Sequence, residues 1–386
     1  MNLRNRRTAA LLALGLSGVL LAAGCSSTAK KTTPATTPGT TPVSTPTNSA
    51  GSSVDTTTPA STASSDVTVD TSAAGGTTTP PVATGPVYPL TGTPVTDIVK
   101  DGRPALVVKV DNHPIARPQS GMNEADIVFE ENVEQLTRFA LVFQSNDADP
   151  VGPIRSGRTQ DVNLLGSFNK PLFAWSGGNA RVTAAIVNSD LRQISPATNG
   201  PFFRTNLPKP HNLYSKTTDL WKLTPAGSAP PLPQFQYRAT GGAVAGDDIS
   251  AVKLSMDGIR VLWQWDANSA TFLRFSDGAV HKDALTNKQV TTNNVVVLYV
   301  KYVPSPADAS SPEAQTTGTG DVWVLSAGKV VKGTWTRADR TSPFTLTDPS
   351  GTPIQLTPGR TFVELSRVGK ATTVPGGADV NSVDYP

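Results

Sequence analysis

Cysteine is all but missing from this chain: Cys25 is the only one in 386 residues. No disulfide can form within the chain, so the folded part relies on its core and its hydrogen bonds. Only three histidines accompany that thiol, and no spaced ligand motif is present, which argues against a zinc site. There is no Lys/Arg-rich run and no nucleic-acid module, which argues against DNA or RNA as a partner. A Walker loop, a G-x-S-x-G elbow and a serine triad are absent as well. The apolar run from Ala9 to Ala23 falls short of the ~20 residues that a membrane-spanning helix needs. Net charge is also missing once Arg4, Arg6 and Arg7 are set aside from the 33 basic side chains, because the rest then balance the 30 acidic ones. A neutral protein has no overall field with which to collect polyanions.

What is present begins at the N-terminus. Arg4, Arg6 and Arg7 precede the apolar run, and Ala22, Ala23 and Gly24 precede Cys25, as at the cleavage site of a secretory signal. The cysteine resembles the acylated residue of a bacterial lipoprotein, with residues 1–24 as signal peptide. Ala22 stands where such signals carry leucine, and Leu21 is one step further out. This spacing predicts lipidation at Cys25 and an extracytoplasmic protein anchored to the cytoplasmic membrane. Arg6-Arg7 leaves both Sec and twin-arginine export open. Residues 25–86 are then the lipidated cysteine and a tether almost wholly of Thr, Ser, Pro, Ala and Gly, with no aromatic residue. Such a segment cannot bury enough apolar surface to offset its ordering entropy and is expected to be disordered. As a flexible coil it spans ~45 Å, and its Thr/Ser/Pro density resembles that of glycosylated stalks.

The composition changes near Tyr88, and the expected fold class is α+β. An N-terminal α/β domain is expected over 87–228 and a smaller, mainly antiparallel β domain over 229–373, with a disordered tail at 374–386. Strands are expected at ALVVKV (from Ala105), ADIVFEE (from Ala125), RFALVFQ (from Arg138) and PLFAWSGG (from Pro171). Helices are expected at TQDVNLLGSF (from Thr159), NARVTAAIVNSDLRQI (from Asn179) and SKTTDLWKL (from Ser215). Beyond Pro233 the pattern is all strand, apart from an expected polar loop at 304–320 and fraying over 367–386.

Functional side chains gather in four segments of the first domain. They are Asp111-Asn112-His113 with Arg117; Glu130, Glu131 and Glu134 with Arg138; Arg155 and Arg158; and His211-Asn212 with Tyr214. Loops at strand ends carry function more often than strand bodies do, and ligands of open α/β sheets lie beyond the carboxyl ends of strands. Arg155 and Arg158 precede an expected helix, and the planar guanidinium matches phosphate or carboxylate. Two readings stand side by side. Arg138, Arg155, Arg158 and Arg117 form a site for an anionic group, or Arg138, Arg155 and Arg158 pair with Glu130, Glu131 and Glu134 to tie loops together. His113 and His211 are either an acid/base pair or neutral side chains bonded to backbone. No cofactor is indicated, though a hard divalent cation such as Mg²⁺, held by Asp111, Glu130 and a phosphate ligand, remains open. Trp263, Trp265, Trp323 and Trp335 read as packing residues, and His281 and Asp283 as surface loop residues.

The series PLTGTPV (Pro89 to Val95), RPALVVKVDNHPIARPQSGMNEADIVFEE (Arg103 to Glu131), LTRFALVFQS, GPIRSGR, PHNLY, GTW and PGRTFVEL resembles the YerB-like lipoproteins. The resemblance runs in matching order from Pro89 to Leu365 and implies the two domains above, both outside the cytoplasmic membrane. It implies no reaction, because none is established for that family. Those proteins tend to have glycines where Gln135-Leu136 stand here, which puts a tight turn at that point in question. Two functions follow. One is a non-catalytic envelope module that binds an anionic cell-wall component or a partner protein. The other is a metal-assisted phosphotransferase or hydrolase acting on a lipid-linked or wall polymer, on a loose similarity of layout to enzymes that attach polymers to cell walls.

Overall fold

The computed structural model describes residues 85–386. The signal sequence, Cys25 and the tether as far as residue 84 lie outside the described residues. The N-terminal half supplies α1 (Ile98–Asp101), β1 (Leu106–Asp111), β2 (Ile127–Val133), β3 (Leu136–Phe143), α2 (Thr159–Leu164), β4 (Leu172–Ala174), α3 (Ala180–Val187), β5 (Arg192–Ile194), β6 (Phe203–Arg204), β7 (Leu213–Tyr214) and α4 (Thr217–Trp221). The C-terminal half opens with β8 (Asp247–Met256), β9 (Ile259–Asp266), β10 (Thr271–Ser276), β11 (Ala279–Val280), β12 (Thr291–Thr292) and β13 (Asn294–Tyr299). It continues with β14 (Lys301–Ser305), β15 (Asp308–Gln315), β16 (Gly318–Ser326), β17 (Lys329–Arg337), β18 (Thr345–Thr347), β19 (Thr361–Ser366) and β20 (Ala371–Pro375).

The expected division into an N-terminal α/β domain and a smaller antiparallel β domain is not what these elements build. The fold is mostly β, organised on one mixed sheet of 16 strands whose main path is β11-β10-β9-β8-β17-β16-β13-β19-β2-β3-β1-β4-β5. The decisive strand is β19. It comes late in the chain, yet it inserts between β13 and β2 and pairs with both in parallel, so one sheet runs through both halves. Only β1, β4 and β5 form a parallel group of the expected kind, with α3 as the crossover between β4 and β5. The longest helix among the described residues is α3, with 8 residues. The Ala/Val/Ile spacing expected to carry that helix to Ile194 ends at Asn188, where Asn188 N–H bonds Ala184 O, and the chain turns into β5.

Alternation along the central strands sorts every side chain to one of two cores. Leu106, Val108 and Val110 of β1, Phe139 and Leu141 of β3 and Phe362 of β19 face one core, which β8, β9 and β10 close with Val252, Leu254, Trp263 and Phe272. Val107, Phe129, Ala140, Val142 and Val363 face the other, which Leu164, Phe168, Val182 and Ile186 cover from the helical segments. As expected, Trp263 and Trp335 are buried packing residues, while Trp265 and Trp323 pack part-buried against the first core.

Three local expectations need correction. The stretch 304–320 is not a loop. β14 and β15 form a separate hairpin in which Pro304 opposes Pro312, and β16 follows. Prolines and short polar residues hide these strands from a pattern search, and strands outside a large sheet tolerate them. Residues 367–386 do not fray, because β20 pairs with β8, Lys253 Nζ donates to Val383 O at 2.7 Å and Ser255 Oγ donates to Pro386 O at 2.7 Å. The turn at Glu134-Gln135 is tight despite the missing glycines, with Val133 opposite Leu136 and Gln135 held at φ 56°. Side chains pay steric strain in that region. Gln135→Gly is therefore expected to raise stability by about 0.5–1 kcal/mol in urea denaturation.

Candidate functional site

Alternation also divides the four polar segments. Asp111 shares the face of Val107 and Lys109; Asn112 is turned to the opposite face. Glu131 and Arg138, register partners across β2 and β3, lie on the Asp111 side, and Glu130 lies on the other. The expected grouping of Asn112, Arg117 and Glu130 with the arginines therefore does not form. Asn112 Nδ2 donates to Glu130 Oε1 at 3.0 Å, and its Oδ1 accepts from Arg117 Nε at 3.0 Å. Arg117 is drawn further away by an ion pair with Asp277 at 2.8 Å. Asn212 is peripheral: Arg204 Nη1 donates to its Oδ1 at 2.7 Å beside the β6–β7 hairpin.

The remaining residues converge. Asp111, at the carboxyl end of β1, accepts from His211 Nδ1 at 2.6 Å, pairs with Arg155 Nε at 3.0 Å through the same oxygen, and takes the His113 N–H on the other at 3.1 Å. His113 stacks on His211 with ring centroids 4.5 Å apart. His113 Nδ1 accepts from Ile115 N at 3.2 Å, so its proton sits on Nε2. The His211–Asp111 contact likewise places the His211 proton on Nδ1. Tyr214 closes this corner, its phenol pushed up to about 12 by burial and by Asp111. Its ring lies so close to Gly152 (φ 150°) that a Cβ there would sit 2.7 Å from Tyr214 Cδ1, which requires glycine.

Arg138, on β3, is the register partner of Asp111. It is only 7% exposed, donates from Nη1 to Ser156 O at 2.9 Å, and has no ion pair within 4 Å among the described residues. Burial first, then Arg158 and Arg155, lowers its guanidinium to about 10. Arg158 forks onto Glu134, with Nε at 3.0 Å and Nη2 at 2.6 Å, and Nε reaches Ser311 Oγ at 3.2 Å. Ser156 and Arg158 line a cavity of about 410 Å³ together with Ser176, Gly177, Gly178 and Asn179. Those last four residues follow β4 and open α3, where Asn179 caps Val182 N–H at 2.9 Å. The cavity thus lies past the carboxyl ends of parallel strands, at a helix N-terminus.

A buried triad underlies this region. Lys109 Nζ is ion-paired with Glu131 and lies 2.8 Å from Asp161 Oδ1, and all three are fully buried. Burial lowers the Lys109 ammonium to about 8 against the pull of Asp161. Asp161 Oδ2 accepts the Arg158 N–H at 2.7 Å, and Lys109 O accepts the Arg155 N–H at 2.9 Å, so the triad carboxylate Asp161 and the β1 backbone fix the two arginines. The visible signal was a lysine inside the apolar run ALVVKV.

His281 and Asp283 are not surface residues, as both are buried. On the opposite sheet face Arg274 pairs with Glu130 and meets His281 Nδ1 at 2.7 Å, while His281 Nε2 bonds Gln119 Oε1 at 2.7 Å. Burial and Arg274 hold His281 neutral, well below the ordinary imidazole range. Glu364 of β19, the register partner of Glu130, accepts from Trp263 Nε1 at 2.8 Å. Burial and then the Glu130 charge push its carboxyl well above the usual range. A raised carboxyl favours the fold fully below about pH 4, and that contribution is lost as pH rises through the folded value. Glu364→Gln keeps the acceptor for Trp263. Its stability advantage over the wild type is expected to grow between pH 5 and 8, and parallel urea midpoints would refute this.

Glu130 is committed to Arg274, Asn112 and Thr137 on the far face, and the Asp111 oxygens to Arg155, His211 and the His113 N–H. The two carboxylates do not form the joint cation site that the sequence left open. Among the described residues no group of three His, Cys, Asp or Glu side chains is placed to hold a metal.

The chain belongs to the DUF3048 family. Residues 90–229 match the "Protein of unknown function (DUF3048) N-terminal domain" and residues 251–363 match its C-terminal domain. A curated relative, "Putative lipoprotein YerB" of Bacillus subtilis (strain 168), is 28% identical over 304 residues, covering 76% of this chain and 89% of its own. The crystal structure of YerB protein from Bacillus subtilis superposes with a TM-score of 0.65 at 24% identity, over 74% of this chain and 99% of that one, which shows a shared fold.

Proposed function

We propose that this protein is an extracytoplasmic lipoprotein, moored to the cytoplasmic membrane through Cys25, whose folded part binds an anionic group of a cell-wall component or envelope protein. The observation that carries the reading is Arg138. A guanidinium that is nine-tenths buried, has no ion pair among the described residues and is repelled by the charges of Arg158 and Arg155 is costly to fold, and such costs concentrate at binding sites. Arg155 and Arg158 flank it, each facing one carboxylate. Of the three, Arg158 lines the cavity, and an anion there, beside Ser156, Ser176 and the α3 N-terminus, would reduce that repulsion and meet preorganised donors. The lipoprotein relative and the signal-like N-terminus support the address.

The test is binding of phosphate-bearing wall-polymer fragments to the full chain. Arg155→Ala and Arg158→Ala are each expected to weaken it roughly 10- to 100-fold, the worth of a charge-assisted hydrogen bond, with melting temperatures nearly unchanged. A large stability loss in both variants with no change in binding would make the cluster structural.

A further inference from the structure

We infer that the ligand is an extended, largely uncharged saccharide bearing one anionic substituent, laid across two adjoining cavities. This rests on the anion-binding reading above and adds the body of the ligand to its charged end. A second cavity, of about 580 Å³, opens where the β2–β3 turn meets the β14–β15 hairpin. Ser311 lines both cavities. The turn contributes Glu134 to the first and Gln135 to the second, and the hairpin contributes Ser305 and Asp308 to the first and Pro304 and Ser310 to the second. At that shared residue Arg158 Nε bonds Ser311 Oγ at 3.2 Å and Glu134 Oε1 at 3.0 Å.

The second cavity differs in chemistry from the first. Its only guanidinium is Arg367, which Asp257 neutralises through Nε at 2.8 Å and Nη2 at 2.6 Å. No cation is left there for a second anionic group, and Asp308 on the first cavity disfavours a string of them. A bare acyl tail fits no better, because Asp257, Gln135 and Ser310 interrupt the apolar wall. Pro304 and Pro312 supply apolar surface beside those polar groups, and Arg367 lies over the Tyr302 ring at 4.6 Å. That mixture matches a sugar ring, which offers C–H faces and a rim of hydroxyls. Each cavity alone exceeds the size of a phosphate ion, and each falls within the range of organic-ligand pockets.

The experiment titrates the full chain with four probes: inorganic phosphate, a neutral tetrasaccharide, the same tetrasaccharide carrying one phosphate, and an acidic peptide. The phosphorylated tetrasaccharide is expected to bind on the order of 10- to 100-fold more tightly than phosphate. Ala309→Trp, at an exposed position on the rim of the second cavity, is expected to abolish that gain and leave phosphate affinity unchanged. Arg158→Ala is expected to weaken phosphate and phosphorylated tetrasaccharide alike. Equal affinity for those two probes, or a gain that survives Ala309→Trp, overturns the extended-ligand inference and leaves the anion site standing. An acidic peptide that binds as tightly, with the same sensitivity to Ala309→Trp, overturns the saccharide. Failure of every probe to bind overturns the anion-binding reading itself.

Discussion

Replacing Lys109 by Met is expected to destabilise the fold by about 3–5 kcal/mol, the usual consequence of stranding buried charges. The ammonium is the only counter-charge placed between Glu131 and Asp161, and none of the three side chains touches solvent. Methionine fills similar volume, so the loss comes from electrostatics and not from a cavity. The carboxylates must then take up protons or separate, and either response disturbs the residues they hold. Asp161 caps the Arg158 N–H, so anion binding should fall along with stability. Adding Glu131→Gln and Asp161→Asn to Lys109→Met should return most of the lost stability, because no unpaired charge then remains. Urea denaturation at pH 7 measures both steps. A single-variant loss below about 1 kcal/mol would show that the triad is not a tightly coupled charge cluster.

Arg138→Met is expected to act in the opposite sense. The side chain lies on β3 opposite Asp111 and Glu131, but Glu131 is ion-paired with Lys109, and Asp111 with His211 and Arg155. Its removal ends the repulsion with Arg155 and Arg158 and gives up one hydrogen bond to Ser156 O. Stability should therefore hold or rise, by up to about 1 kcal/mol, while affinity for an anionic ligand falls on the order of 100-fold. That combination separates a binding residue from a structural one. A protein that unfolds more easily and binds as well as before would place Arg138 in the framework.

Much of the strand content is legible from short β-branched runs such as ALVVKV and TFVELS, whose residues are buried on both faces of a central sheet. The position of β19 is not. Its pairing with β2 joins residues more than two hundred positions apart, and no local pattern encodes a parallel insertion of that range. The expected fold class, an α/β domain beside a smaller β sheet, fails there, because one sheet runs through both halves. The site was legible as a set of residues and misread as a set of contacts. Reading the loops as linear clusters places Asn112 beside Asp111 and Glu130 beside Glu131, whereas a pleated strand sends neighbours to opposite faces. Applying the two-residue period to β1, β2 and β3 would have separated Glu130 and Asn112 from Arg138. The hairpin of β14 and β15 was hidden by its prolines and serines, and with it the second wall of the candidate site.

The central claim is that the cavity lined by Arg158, Ser156 and Ser176 holds a negative charge. Calorimetric titration of the full chain with a phosphate-bearing wall-polymer fragment, at low and at physiological ionic strength, tests it most directly. The account predicts one saturable site whose affinity weakens as salt rises and whose signal disappears in Arg138→Met. Binding that is indifferent to salt and survives Arg138→Met, or no binding at either ionic strength, would contradict it.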